Sequence, residues 1–373
     1  MTRIILFALL ALQQFALRTV DAGSLPTGEK VHIYTITNSS GASLSVSDFG
    51  ARIVGITVPD RDGNMDDVVV GGDTPESFTA KQTSRNGATI GRYANRIDGA
   101  AFELDGVRYE LDANQKLAGR PVCCHGGSQG FDSKIWKAVR VKGRDRAGIK
   151  FSIVSPDGDC GFPGKLTCTV TFWWTNDNVC RIEYAASTDK PTVVNFTNHV
   201  YFNLRGQGLG NTLDHILQID ASNYVQTNRQ YCPDLVLPVA DTPYDFRKPH
   251  RIGWRLSMPE NEKPQQLKIM RGSMSCCFAL DGYDGSLRRV ATLSEPVTGR
   301  SIEVRTTEPA LQLFPGTGFN GSARTKGGAA INKNDGIALE TMHFADSPNQ
   351  DRFPSTVLRP GEKFRSVTEY IFR

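Results

Sequence analysis

An all-β chain, folded as one large antiparallel β-sandwich, is what this sequence predicts, and three observations lead there. Short runs of alternating or β-branched residues recur over the whole length. Turn-forming residues stand between them: there are 36 Gly and 19 Pro in 373 residues. Glycine is therefore enriched over its usual share of about 7%. Helical periodicity is weak throughout, and Pro75 to Thr83 has room for one turn or two.

The strands follow in order. Val31 to Ile36 and Arg52 to Val58 are the first two runs. Phe102-Glu-Leu104 and Val107 to Leu111 flank Asp105-Gly106, whose residues tolerate positive φ, so the three segments read as a hairpin. Lys137 to Val141 and Gly148 to Val154 form another pair. Leu166 to Trp174 and Val179 to Ala186 flank the polar turn Thr175-Asn-Asp-Asn178. His215 to Ile219, Arg288 to Leu293, Ser301 to Thr306, Ala310 to Phe314 and Phe364 to Phe372 complete the set. No linker, low-complexity tract or fixed-period repeat divides the chain, so a single domain is expected.

The first residues carry a different signal. Arg3 precedes the apolar run Ile4 to Leu12, and Val20-Asp-Ala22 offers a small residue before Gly23. A charged start, a short apolar middle and a small-residue exit are the layout of a secretory signal peptide. Residues 1–22 are assigned to it and 23–373 to the folded domain, and the protein is expected in the secretory lumen or outside the cell. The run is shorter than the about 20 apolar residues that span a bilayer, and no membrane partner is expected. Sequons at Asn38, Asn195 and Asn320 fit that compartment. Asn38 reads as a surface loop, whereas Asn195 lies in an apolar stretch and is expected to be buried.

Composition excludes several function classes. Forty-three basic and 39 acidic side chains give +4, too near balance for a nucleic-acid partner. Eight cysteines, including the vicinal pairs Cys123-Cys124 and Cys276-Cys277, lack zinc-type spacing, so no metal is expected. Their number permits disulfides in an oxidising compartment, and buried free thiols fit equally.

Candidate chemistry rests on few residues. His125 sits in Cys124-His-Gly-Gly127, where glycine lets backbone approach a ligand closely. His199 sits in Asn195-Phe-Thr-Asn-His-Val-Tyr-Phe-Asn203, whose alternation aims His199, Tyr201 and Asn203 to one face. Glu340 ends the apolar run Ile337-Ala-Leu339, and Arg96 lies in Gly91-Arg-Tyr-Ala-Asn-Arg-Ile97. Taken singly, each is also what a structural histidine or a strand-end charge looks like.

Taken in order along the chain, the motifs are more specific. Gly91-Arg-Tyr-Ala-Asn-Arg-Ile97, His125-Gly-Gly127 with Gly130-Phe131 and Trp136, and Ser155 to Gly164 resemble segments of the aldose 1-epimerase (galactose mutarotase) family. So do Asn198 to Leu204, Thr242 to Arg247, Glu308 to Gln312, Leu339-Glu-Thr341 and Leu358 to Glu362. The resemblance runs from about residue 30 to the C-terminus. It implies a large antiparallel β-sandwich, in agreement with the strand reading, and an isomerase that needs no cofactor.

The resemblance implies roles as well. Interconverting sugar anomers requires loss of the C1 hydroxyl proton while the ring oxygen gains one. Glu340 is then the general base and His199 the general acid, expected on opposite sides of the sugar, with His199 able to keep its charge near neutral pH where a carboxylate or polar surround supports it. Asn95, Arg96, His125, Gln312, Ser275 and Tyr201 are substrate-binding groups, with Tyr201 and Phe202 as an apolar wall. Ser275 stands where the family commonly has an Asp, which removes a charge-assisted acceptor and about 1.5–3 kcal/mol of binding. Met342 replaces a Gln, and Phe314 a Tyr. The implied partner is a free hexose, met by a monomer or weak dimer. A second reading is another hemiacetal or lactol substrate, and a third is a carbohydrate-binding protein without catalysis. A sugar phosphate is disfavoured, because a secretory location offers little such substrate and no additional basic cluster flanks the motifs.

Overall fold

The computed structural model describes residues 15–373. Strand accounts for 44% of the chain and helix for 5%, an all-β fold. Three antiparallel sheets make up most of it. A nine-stranded sheet runs in the order Lys137–Lys142, Arg146–Ser155, Leu166–Thr175, Val179–Thr188, Phe364–Phe372, Ser301–Thr306, Arg288–Ser294, Ile216–Ile219 and His250–Arg251. A six-stranded sheet runs Tyr201–Phe202, Ile337–Met342, Ala310–Phe314, Cys276–Ala279, Asn223–Thr227 and Pro233–Pro238. A five-stranded meander takes the chain from Ala16 to Asp67.

Side-chain alternation explains how these sheets share one core. Along Ile337–Met342, Ile337 and Leu339 point into a cluster that also holds Leu311, Leu313 and Phe278 of the same sheet and Phe172, Val304 and Tyr370 of the nine-stranded one. Polar ties cross the same interface. Tyr370 Oη donates to Leu339 O at 2.9 Å, and the Thr341 and Thr368 hydroxyls meet at 2.5 Å. The strand that carries Glu340 is thereby fixed from behind, and the residues between the core-facing ones look the other way.

The expected elements appear with small shifts. The hairpin pairs Ala101–Leu104 with Val107–Glu110, and both turn residues have positive φ, Asp105 at 52° and Gly106 at 76°. That geometry makes a tight two-residue hairpin turn and explains Asp-Gly there. Ser301–Thr306, Ala310–Phe314 and Phe364–Phe372 have the expected bounds. The helix shortens to Pro75–Thr79, started by Thr74 and Ser77 capping each other. Strands with weak alternation or few β-formers, Ser43–Ser47, Pro233–Pro238 and Cys276–Ala279, were not legible.

Two expectations need correction. Ala16–Ser24 is a strand paired along its length with Lys30–Thr37, and Val20 and Ala22 pack against Leu25, Val31 and Phe78. The fold therefore begins before Gly23, since a cut after Ala22 would take most of that strand. The charged start and the apolar run Ile4 to Leu12 lie outside the described residues. Asn38 is buried, with its amide donating to Thr175 O at 3.0 Å and Asn178 Oδ1 at 2.8 Å, so it is not a free surface sequon. Asn195 is fully buried, as expected, and Asn320 is exposed. All eight cysteines are free thiols, seven of them buried.

Candidate active site

Across the open face of the six-stranded sheet lies a cavity of about 660 Å³, within the usual range for a small-molecule site of about 300–1,000 Å³. Register builds its floor. Gln312 pairs with Glu340 and Cys277 pairs with Gln312, so these three side chains stand in one row on the face opposite the core. Tyr201 pairs with Ala338 on the neighbouring strand and adds a ring to the same face. Glycine then brings the histidines in. The Gly87 amide donates to His199 O at 2.9 Å, and the His199 amide donates to Ala88 O at 2.9 Å. A Cβ on Gly87 would lie 1.9 Å from Ile53 O, so only glycine lets this segment sit there.

His125 is held reciprocally. Its amide donates to Asn95 O at 2.8 Å, and the Asn95 amide donates to His125 Nδ1 at 3.2 Å. Because Nδ1 accepts, the ring carries its proton on Nε2, which remains for a ligand. Both residues have positive φ, His125 at 56° and Asn95 at 63°. A Cβ on the following Gly126 would come within 2.1 Å of Gly91 O, which shows how tightly the two loops meet. A polar chain continues along the wall: Arg96 Nη1 donates to Asn95 Oδ1, Asn95 Nδ2 to Gln312 Oε1, and Gln312 Nε2 to Ser275 Oγ, each at 3.3–3.4 Å. Arg96 also lies over the Tyr231 ring, 5.3 Å from its centroid.

At the centre, His199 Nε2 stands 3.6 Å from Glu340 Oε1, too far for a hydrogen bond. Both residues are buried, and His199 Nδ1 and Glu340 Oε2 have no partner. Burial among His125, Tyr201 and Phe314 rings, with the Arg85 cation nearby, pushes His199 down to about 3. Burial raises Glu340 to about 8, against the pull of Arg96 and Arg85. His125 is pushed well below its usual value by burial and the same cations, so it is a neutral donor. At neutral pH the empty pair therefore holds one proton, and it rests on Glu340 rather than on His199.

All eight sequence-derived site residues line this one cavity: Glu340, His199, Asn95, Arg96, His125, Gln312, Ser275 and Tyr201. Several details differ from expectation. His199 and Glu340 are adjacent, not across the cavity from each other, because His199 hangs beside the strand that carries Glu340. His199 is not held charged, since no carboxylate or carbonyl supports the second ring N–H. Phe202 is fully buried against Tyr370 and Phe372 and makes no wall. Asn203 ties Gly210 O and Asp335 O together outside the cavity. Met342 packs with Ala88, Ile90 and Ala94, so its replacement of a Gln leaves the site untouched.

Sequence reasoning missed part of the lining. Lys81, Arg85, Tyr231, Arg271, Lys333 and Cys277 all face the cavity. Cys277 was within reach of a register argument, being opposite Gln312. The others come from loops far apart in the chain, and no local pattern brings them together. The absence of a basic cluster beside the motifs thus does not hold in space. Among the described residues, no group of three or more His, Cys, Asp or Glu side chains is arranged to hold a metal.

Comparison with known proteins agrees with this geometry. The aldose 1-epimerase family model matches residues 32–371. The chain is 35% identical to human galactose mutarotase, covering 94% of this chain and 96% of that one. It is 34% identical to the aldose 1-epimerase of Escherichia coli K12, covering 93% and 96%. Among solved structures, a galactose 1-epimerase from Lactobacillus acidophilus superposes with a TM-score of 0.82 at 26% identity, covering 96% of this chain and 99% of that one. An aldose epimerase homologue from Caenorhabditis elegans shares the fold, with a TM-score of 0.77 at 24% identity over 96% and 99%.

Proposed function

The chain belongs to the aldose 1-epimerase family, and from that premise we propose that the Glu340–His199 pair opens and recloses the ring of a free hexose such as galactose or glucose. Interconversion of hexose anomers is the activity that its relatives support over nearly the full length. One observation carries the assignment of residues: an acid and a base stand 3.6 Å apart, each with an unpartnered atom, in a cavity of sugar size. The two oxygens that exchange protons in a hemiacetal are bonded to the same carbon. The acid and base that serve them must therefore be neighbours, which is how these two stand.

Ring opening then proceeds by two coupled transfers. The Glu340 carboxylate takes the proton of the C1 hydroxyl, and His199 Nε2 gives one to the ring oxygen as the C1–O bond breaks. After rotation about C1–C2, the reverse transfers close the ring on the other face. Proton number is conserved, so the pair ends each turnover as it began. Sugar hydroxyls donating to Oε1 and Oε2 favour the carboxylate and so draw the pair's proton towards His199. His125 Nε2, Arg96, Asn95 and the Gln312–Ser275 pair hold the remaining hydroxyls.

The test is polarimetric. Purified protein is expected to accelerate the rotation change of fresh α-D-galactose or α-D-glucose, and Glu340→Gln is expected to abolish the acceleration. No rate above buffer on a panel of aldoses would overturn the function. Sugar binding without turnover would support the non-catalytic reading, and full rate in Glu340→Gln would overturn the mechanism.

We also propose a secretory route for this enzyme. The charged start and apolar run before Leu12 support it, with removal upstream of Ala16 so that the first strand survives. Asn320 is the sequon whose position favours a glycan, since Asn38 and Asn195 are buried. Expression in a eukaryotic host, with mass analysis of the medium before and after glycosidase, checks both.

A further inference from the structure

The cavity wall is strongly one-signed. Lys81, Arg85, Arg96, Arg271 and Lys333 line it, and Glu340 is the single carboxylate among its lining residues. Of the five cations, Arg85 alone has a carboxylate partner among the described residues: its Nε stands 3.7 Å from Asp132 Oδ2, beyond hydrogen-bond distance. Arg96 is held by the neutral acceptors Gln115 Oε1 and Asn95 Oδ1. Lys81, Arg271 and Lys333 are exposed at the mouth. They come from three separate loops, so their convergence is a property of the fold and not of one basic stretch.

A neutral hexose held on the floor gives the three rim cations, Lys81, Arg271 and Lys333, little to do. Hydroxyls are read as well by amides and serines, which the cavity also supplies. Uncompensated cations around a low-dielectric cleft raise the local concentration of an anion and bind it once inside. Arginine and lysine are also the side chains best suited to carboxylate and phosphate oxygens. The reacting pair occupies the buried floor, and three of the cations stand at the rim. A sugar with C1 against Glu340 and His199 would present its far end to that rim.

We infer that the natural substrate of this site is an aldose with an anionic group remote from C1, a carboxylate or a phosphomonoester. The inference rests on the mutarotase chemistry above and departs from it in one respect, putting a charged aldose in the place of the neutral hexose as natural substrate. It changes no step of the chemistry: the anion stays bonded to the sugar, and protons move between C1 hydroxyl, ring oxygen, Glu340 and His199 as before.

Three probes separate the possibilities: D-galactose, D-galacturonate and D-galactose 6-phosphate, with anomer exchange measured above buffer for each. At low ionic strength kcat/KM for a charged sugar is expected to exceed that for galactose by about tenfold, mostly through KM. Raising ionic strength from about 0.01 M to about 1 M shortens the screening length from about 30 Å to about 3 Å and is expected to remove most of that advantage. The double variant Lys81→Ala/Lys333→Ala is expected to bring the ratio of the two kcat/KM values towards unity. Advantage for galacturonate alone assigns the carboxylate, and advantage for the 6-phosphate alone assigns the phosphomonoester. Equal kcat/KM for all three sugars at low salt overturns the inference and leaves the mutarotase reading standing. So does an advantage that neither salt nor the double variant changes. No turnover of any sugar overturns both.

Discussion

His199 with Glu340 and His343 with Glu308 are pairs of the same two residue types, both largely buried, their members on or beside neighbouring strands. In the second pair His343 Nδ1 meets Glu308 Oε2 at 2.6 Å, and Asn195 clamps the His343 backbone from both sides. Burial alone would lower His343, but the charge and hydrogen bond of Glu308 outweigh it and its pKa is raised. In the first pair the gap is 3.6 Å, two polar atoms have no partner, and the histidine is pushed down while the glutamate is pushed up. One ångström of separation makes most of the difference, and the Arg85 cation adds to it at His199. A closed pair fixes its proton and holds two strands together; an open pair leaves its proton free to move to a ligand.

The largest expected effect follows directly. Replacing Glu340 by Gln or His199 by Asn is expected to lower kcat by about 10²–10⁴ or more, the usual contribution of a positioned acid or base. Folding should persist, because neither side chain holds a neighbour. Replacing His343 by Gln is expected to leave kcat within about threefold of wild type, since His343 lies outside the cavity. Equal losses in both pairs, by stopped polarimetry with circular dichroism as a fold control, would break the distinction.

Stability reverses the ranking. Glu308→Gln removes one partner of a closed buried pair, which costs about 3–5 kcal/mol. Chemical denaturation is expected to show that loss for Glu308→Gln and much less for Glu340→Gln at neutral pH. A midpoint unchanged in Glu308→Gln would show that the 2.6 Å contact contributes nothing to holding the strands.

How much of this contrast was legible beforehand depended on how local each signal was. Asp105-Gly106, Ser301–Thr306 and Ala310–Phe314 could be read because turn chemistry and period-two alternation are properties of a few consecutive residues. His199, Glu340, Asn95 and Arg96 were found because several short motifs occur in one order, although none was decisive alone. Arg85, Lys333 and Arg271 were invisible: three loops meet only because the sheets between them pack. The same holds for His343 and Glu308, whose pairing across strands leaves no trace in spacing. Asn38 misled for a related reason, since a polar turn residue gives no sign of the carbonyl that will bury its amide.

The pH dependence of stability has the same sign for both pairs, because both shifts are upward, and it separates them by window and level. Glu340 rises from 4.5 unfolded to about 8 folded. Between those values the folded state keeps a proton that the unfolded state has lost, so stability falls as pH rises through that window. Glu340→Gln removes the penalty, and its unfolding free energy relative to wild type should climb from pH 5 to pH 9 by up to a few kcal/mol. His343 is raised above 6.5 by its partner, so it contributes stability below 6.5 that is lost as pH rises through its folded value. His343→Gln should therefore be most harmful in acid and least harmful at pH 9. Both profiles relative to wild type therefore rise with pH, and they differ in level and window: Glu340→Gln starts near wild type in acid and rises between pH 4.5 and about 8, whereas His343→Gln starts well below wild type and rises only above 6.5. A His343→Gln variant as stable in acid as Glu340→Gln would refute the assignment of open and closed pairs.

Arg85 provides the finest cut, because it acts on the open pair without closing it. Its cation opposes a proton on His199 and favours the carboxylate of Glu340, so it lowers both values. Activity needs one proton on the pair, which places an alkaline limit near Glu340's value of about 8 and an acid limit near that of His199. Removing the charge with Arg85→Gln should move both limits to higher pH together, by a fraction of a unit. Arg96 acts on Glu340 but is absent among the influences on His199, so Arg96→Gln should move the alkaline limit alone. A general disturbance of the cavity would lower the rate at every pH without shifting either limit. The pH profile of kcat/KM for the two variants, which reports the free enzyme's groups, distinguishes these outcomes, with the His199 ring followed by NMR. If Arg85→Gln moves neither limit, the low pKa of His199 is due to burial alone, and the contrast between the pairs reduces to distance.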